Sequence, residues 1–132
     1  MTLCTLTLHY EDVSTNPYSG SVLFQPTTIL QDTVNGVSIG YTGVSVTLDG
    51  TGSGEIELHF TDDPTITPNN PAYNVWAYRV QENVTAPGAS FPEVRAPYFI
   101  ALPTATGGSA LLSDLPRTGQ ALGYGWFNFG IY

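Results

Sequence analysis

The residues of this chain that could do chemistry are few and scattered. The two histidines, His9 and His59, both fall on the polar side of strand-like segments, and neither belongs to a His-x-x-x-His or Cys-x-x-Cys spacing that binds metals. Glu57 precedes His59 by two residues and would share its strand face, so the pair could hold a metal only with ligands from elsewhere. A solvated polar face is the simpler interpretation.

The loop DDPTITPNNP at residues 62–71 is the richest source of oxygen ligands. Ca²⁺ takes about six to eight such oxygens, usually from a loop with regular ligand spacing. This loop lacks that spacing, and Asp and Asn beside proline are typical of turns. The sequence therefore predicts an ordered surface connection, with no metal site and no cofactor.

Nucleophilic and acid–base motifs are also missing. No serine lies in a G-x-S-x-G elbow, and Cys4 has no histidine close to it in sequence, although a dispersed triad stays open. Glu55 and Glu57 alternate on one strand face, which is ordinary for surface acids. The turn GTGSG at 50–54 leads into a strand pattern without lysine, which indicates a tight turn and not a phosphate loop. We expect no enzymatic activity.

Aromatic residues beside the polar loop suggest sugar binding instead. Sugars stack on the faces of Trp and Tyr rings, while Asp and Asn side chains bind their hydroxyls. The residues of this possible glycan site are Asp62, Asp63, Asn69, Asn70, Tyr73 and Trp76. Core packing is the commoner fate of such aromatic residues, so both interpretations stay open.

Composition limits the partners. The net charge is -8 with three arginines and no lysine, which disfavours nucleic acid and anionic membranes. Charged residues make up 11% of the chain against about 25% in typical soluble domains, and such a surface suits either packing against neighbouring proteins or a plain extracellular β-domain. The start MTLCTLTLHY lacks a basic segment and a long apolar run, so we expect no signal peptide.

Alternation of apolar and polar residues predicts strands throughout. Val44, Val46 and Leu48 lie on one side of the glycine turn and Ile56, Leu58 and Phe60 on the other, which indicates an antiparallel hairpin. Further strands are predicted at 3–10, 21–26, 73–84 and 96–103, with a last short apolar run at 111–115, and Asn35-Gly36 marks another hairpin. The run 73–84 is apolar on both sides and should be central. We expect one antiparallel β-sandwich of about seven to nine strands over residues 1–115, immunoglobulin-like or transthyretin-like.

The segment from 116 to 132 differs in character. It concentrates large apolar side chains among glycines, namely Tyr124, Trp126, Phe127, Phe129, Ile131 and Tyr132. Such a surface must be buried in its own core or against another chain. The segment is therefore either a closing strand or an arm that forms a protein interface with a neighbouring subunit.

The order of the motifs resembles the β-sandwich domain of minor tail proteins from phages of actinobacteria. The matching pieces are GSVLFQP at 20–26, VTLDG at 46–50, GEIEL at 54–58, TDDP at 61–64, Tyr73-Asn74-Val75 and YFIALP at 98–103. The likeness spans about residues 3–115, and the opening is also similar, more weakly, to transthyretin-like and carboxypeptidase-regulatory sandwiches.

This resemblance implies a virion structural protein at the tail, tail tip or fibre, assembled in the host cytoplasm. Its implied partners are other virion proteins and further copies of itself, since such components repeat around a symmetry axis. Two alternatives are a capsid decoration protein and an adhesin that attaches the particle to a host cell-wall glycan.

Overall fold

The computed structural model describes residues 3–119, which form an all-β fold. The strands of this part are β1 (Leu3–His9), β2 (Ser19–Pro26), β3 (Leu30–Asp32), β4 (Val37–Ile39), β5 (Val44–Thr47), β6 (Ser53–His59), β7 (Ile66–Pro68), β8 (Tyr78–Thr85), β9 (Tyr98–Ile100) and β10 (Ser109–Leu111). Two short 3-10 helices, Thr104–Thr106 and Leu112–Asp114, flank β10. The predicted all-β sandwich is confirmed.

The strands form three sheets with the orders β10-β1-β6, β5-β2-β8-β9 and β4-β3-β7. Every ladder of the described residues is antiparallel except the one between β1 and β10, which run parallel. The alternating pattern could not reveal this exception, because it is the same for parallel and antiparallel neighbours.

One core joins the sheets. Leu6 and Leu8 on β1 are almost fully buried, as are Phe24 on β2 and Val80 and Val84 on β8, and all five belong to one hydrophobic cluster. The buried residues occupy alternate positions along each strand, so the alternation in the sequence places them on the inner face. Two sheets that share an inner layer of this kind form a β-sandwich.

The hairpin predicted around the glycine turn is wrong. β5 pairs with β2, where Val46 lies opposite Val22, whereas β6 pairs with β1, where Ile56 lies opposite Leu6. The turn at Gly52 therefore carries the chain from one sheet to the other. Alternation identifies the buried face of each strand, and it leaves the partner strand undetermined.

Two other predictions of pairing are confirmed. β8 lies between β2 and β9 and is central in its sheet, although it begins at Tyr78 and the residues from 73 to 77 are not part of it. Asn35-Gly36 lies in the β3–β4 hairpin, where Gly36 has a φ of 66°. Both patterns are local, which is why the sequence could reveal them.

The sandwich has two distinct ends. Leu3 pairs with His59 at one end of the β1–β6 ladder, and His9 pairs with Ser53 at the other. These ends, here called the Leu3 end and the His9 end, are about 20 Å apart at about 3.3 Å per residue. Tyr78, at the start of β8, lies at the Leu3 end, because its hydroxyl donates to the carbonyl oxygen of His59 at 2.8 Å.

The turn between the sheets gives a stability test. Gly52 has a φ of 79°, and a Cβ atom added there would lie 2.3 Å from the Tyr10 carbonyl oxygen. We expect Gly52→Ala to lower the free energy of unfolding by about 2 kcal/mol, since left-handed backbone and a steric clash both destabilise it. Gly50→Ala is the matched control, because no atom lies within 4 Å of its added Cβ. Urea denaturation of both variants measures the difference, and equal stability would contradict the role given to Gly52.

Candidate functional site

The His9 end is organised around a buried carboxylate. Glu82 lies on β8 between Val80 and Val84 and is 4% exposed. Its Oε2 atom accepts a short hydrogen bond from the Tyr10 hydroxyl and one of 3.3 Å from the Tyr98 hydroxyl. Because an unpaired buried carboxylate is strongly unfavourable, these hydroxyls are needed to hold it in the core.

Two of the three arginines in the chain converge on this carboxylate. Arg95 Nη1 lies 3.3 Å from Glu82 Oε1, and Arg117 Nη1 lies 3.9 Å from Glu82 Oε2. The Arg117 guanidinium also lies 4.2 Å from the centre of the Tyr98 ring, close enough for a cation–π interaction. The arginines thus compensate the buried negative charge and cover the aromatic rings above it.

A second carboxylate completes the cluster at its edge. Glu93 Oε1 accepts hydrogen bonds from Arg95 Nε and Nη2 at 3.0 and 2.8 Å, and Oε2 accepts one from the Tyr18 hydroxyl at 2.7 Å. The bonds from Tyr18 and then Arg95 lower the pKa of Glu93. We call Glu82, Glu93, Arg95, Arg117, Tyr10, Tyr18 and Tyr98 the Glu82 cluster. Its two carboxylates offset its two guanidinium groups, so the cluster holds elements together and does not attract an anion.

A cavity of about 430 Å³ borders the cluster, with His9 and Glu11 in its wall. His9 also bridges two neighbours, since its Nδ1 lies 2.7 Å from Ser53 Oγ and its Nε2 lies 2.8 Å from Glu11 Oε2. This row of serine, histidine and carboxylate has the composition of a hydrolase triad. It is the kind of dispersed triad that the sequence left open.

The surroundings of this row do not support acyl transfer. Ser53 is not among the residues that line the cavity. The backbone amides beside it are occupied, because Thr51 N and Ser53 N donate to Asp49 Oδ1 and Gly52 N donates to the Asp49 carbonyl oxygen. Those amides are therefore not free to form an oxyanion hole, the largest contribution in such enzymes. The row is a hydrogen-bonded surface link between β1 and β6.

The Leu3 end carries an open groove of about 450 Å³. Its apolar lining residues are Leu3, Phe24, Pro26, Leu30, Ile39, Val44, Leu58 and Tyr78. Beside it, Tyr41 is 55% exposed and Val44 50% exposed. Glu57 and His59 also line the groove, and His59 Nδ1 is buried without a hydrogen-bond partner among residues 3–119. The lining of this groove is mainly apolar with a few polar groups, the usual character of a binding surface.

The possible glycan site falls along one loop, and its main stacking ring is buried. Trp76 is 3% exposed, its Nε1 donates to the Ile66 carbonyl oxygen at 3.3 Å, and its ring packs edge-to-face on Tyr78 at 5.0 Å. A sugar could not stack on Trp76 in this structure. Tyr73 keeps 37% of its surface exposed.

The loop oxygens of that site are used in turns. Asp62 Oδ1 accepts from Thr104 N, Asp63 Oδ1 accepts from Thr65 N, and Asn70 Oδ1 accepts from Ala72 N, each at 2.9 Å. The backbone amide of Asn69 donates to Ile29. Asp63 is 2% exposed. The contacts of Asp63 and Asn70 match the turn chemistry expected of the loop, whereas Asp62 binds a residue far along the chain. Within residues 3–119, no three His, Cys, Asp or Glu side chains lie close enough together to bind a metal.

The six residues proposed for a protein interface, Tyr124, Trp126, Phe127, Phe129, Ile131 and Tyr132, lie outside the described residues. The start of their segment is described. Thr118 exchanges two backbone hydrogen bonds with Phe99, at 2.8 and 3.0 Å, in an antiparallel bridge. Together with Arg117, this bridge fixes the start of the segment against β9.

No family model matches the chain, and no curated protein matches it either. No helix in residues 3–119 is long and apolar enough to cross a membrane. The Glu82 cluster is the feature that the sequence analysis missed, although a signal existed. Strand alternation places Glu82 on the same face as Val80 and Val84, and a charged residue at a core position calls for a partner.

The cluster predicts that removing the charge of Glu82 strongly destabilises the fold. Glu82→Gln keeps the side-chain shape but leaves Arg95 and Arg117 without their shared negative partner, so we expect the free energy of unfolding to fall by about 3 kcal/mol. Glu55→Gln, on the exposed face of β6, should change it by less than about 0.5 kcal/mol. Chemical denaturation at neutral pH compares the two variants, and a Glu82→Gln protein as stable as the wild type would refute the role of the cluster.

The cluster also predicts alkaline sensitivity. Burial and then the negative charge of Glu82 raise the pKa of Tyr98 to about 12 from 10.0, and burial with the Glu82 hydrogen bond raises the pKa of Tyr10 further. Between these pH values the unfolded chain loses phenolic protons that the folded chain retains, so the free energy of unfolding decreases as the pH rises. Denaturation from pH 9 to 12 should show a shallower decrease for Tyr98→Phe than for wild type; identical slopes would count against this assignment.

Proposed function

We propose that this chain is a non-enzymatic structural protein of a phage virion, a minor tail, tail-tip or fibre component that packs in several copies through protein contacts. The observation that carries the proposal is the open apolar groove at the Leu3 end. Supporting it are the all-β fold and the order of strand and turn motifs that resembles minor tail proteins of actinobacterial phages.

The groove supports protein contact because of its lining and its border. Apolar side chains make up most of its walls, and Tyr41 and Val44 leave half of their surface exposed beside it. A concave surface with a mainly apolar lining and a few polar groups is the usual character of a binding site. Only 11% of the residues are charged, so a contact between copies would bury few charged side chains.

The alternatives receive less support. Host attachment through Trp76 lacks an exposed stacking ring, since that side chain is 3% exposed. Hydrolysis through Ser53 lacks free backbone donors at the turn, because Asp49 accepts them. A capsid decoration protein would use the same kind of groove, so the location in the particle separates it from a tail component.

The test is the composition of purified particles. We expect quantitative mass spectrometry of virions assembled from the genome that encodes this chain to detect several copies per particle, and immunogold labelling to place them on the tail. A non-structural protein of the same genome serves as the negative control. Labelling on the capsid would replace the tail assignment with decoration, and absence from washed particles would refute a virion role.

A further inference from the structure

We propose that the groove at the Leu3 end binds the aromatic C-terminal segment, residues 120–132, of a second copy of this chain. This inference rests on the proposed function, because it names the contact through which the copies would pack. It also assigns different surfaces to the two partners, so that each copy donates one segment and accepts another.

The groove and the segment are chemically complementary. A groove of about 450 Å³ lies within the range of about 300–1,000 Å³ typical of ligand clefts, and its walls are mainly apolar. The segment contains seven large apolar residues, Leu122 and the six residues of the predicted interface, and no charged side chain. Burying some of these side chains in the groove would therefore remove apolar surface from water on both partners without burying an unpaired charge.

One polar atom in the groove adds specificity. His59 Nδ1 is buried and has no hydrogen-bond partner among residues 3–119. An unmade hydrogen bond is costly, and this nitrogen accepts or donates according to the tautomer, so a segment that brings a polar partner would satisfy it once the ring turns toward the groove. The segment carries suitable donors in the hydroxyls of Tyr124 and Tyr132, the indole N–H of Trp126 and its backbone amides.

The direction of the chain favours a neighbouring copy over the same copy. Tyr98 lies opposite Val80 and Ile100 opposite Tyr78, so β9 runs antiparallel to β8. The bridge between Thr118 and Phe99 is also antiparallel, so the chain at Thr118 runs in the direction of β8, toward the His9 end. Phe99 lies opposite Arg79, next to Tyr78 at the Leu3 end, so from Thr118 the chain heads away from the groove of its own copy.

A segment that continued in this direction would leave the groove of its own copy behind and meet the groove of a copy whose Leu3 end follows it. The Glu82 cluster strengthens this geometry, since Arg117 ties the start of the segment to Glu82 and Tyr98. Such a head-to-tail contact uses two different surfaces, and it closes into a ring or continues as a filament depending on the rotation between copies.

Complementation between two full-length variants tests the contact. Val44→Glu places a charge in the groove at a half-exposed position, and Trp126→Glu places one in the segment. We expect wild type to associate with rising concentration in sedimentation velocity, and each variant alone to associate at least tenfold more weakly. A 1:1 mixture should form a dimer, because the Val44→Glu copy supplies an intact segment and the Trp126→Glu copy an intact groove.

Matched controls separate docking from folding. Val13→Glu introduces the same charge at a fully exposed valine, and Asn128→Glu introduces it at a polar position of the segment; both should associate like wild type, although a partial loss for Asn128→Glu would still agree with docking. Circular dichroism checks that each variant is folded. Thr42→Glu, at an exposed loop residue of the groove, replaces Val44→Glu if that variant unfolds.

Three results would overturn the inference. They are a wild-type chain that stays monomeric at high concentration, variants that associate as strongly as wild type, and a mixture that remains monomeric. None of these results contradicts the proposed virion role, which depends on the number of copies found in purified particles. Conversely, a dimer from the mixture with no chain in the particles would support the docking contact and refute the virion role.

Discussion

The need to satisfy one buried carboxylate constrains much of this structure. Glu82 sits on the central strand of its sheet at a position that strand alternation makes internal, and a charge there requires partners. Those partners come from separate parts of the chain, namely Tyr10 after β1, Tyr98 on β9, Arg95 in the preceding loop and Arg117 after the last strand. One charge thereby joins both layers of the sandwich to the start of the C-terminal segment.

The two ends of the sandwich consequently differ in character. At the His9 end, hydrogen bonds and ion pairs satisfy the polar groups of the Glu82 cluster, and Glu82 and Glu93 balance Arg95 and Arg117. At the Leu3 end, an apolar groove is open, and His59 Nδ1 lacks a partner in the described chain. One end is therefore polar with its groups hydrogen-bonded, and the opposite end is apolar with an open groove. This difference gives a physical basis for directional packing of copies, which is the role proposed for the chain.

Sequence reasoning worked where the signal was local. Alternation identified the inner faces of β1, β2 and β6, and Asn35-Gly36 identified a turn, because both depend on neighbouring residues. It did not identify strand partners. The segments on either side of Gly52 look like a hairpin, yet β5 and β6 belong to different sheets, since both arrangements bury the same side chains. The burial of Trp76 could not be predicted either, because stacking on a sugar and packing in a core need the same residue type.

The sequence alone determined the all-β class, the apolar faces, the turn chemistry of the loop at 62–71 and the acidic, lysine-free composition. These follow from residue type and spacing over a few positions. Only the tertiary structure decided that β5 and β6 separate, that Glu82 gathers two distant arginines, and that an apolar groove remains at the Leu3 end. Those features depend on which strands become neighbours, and that choice is set by the packing of the whole core.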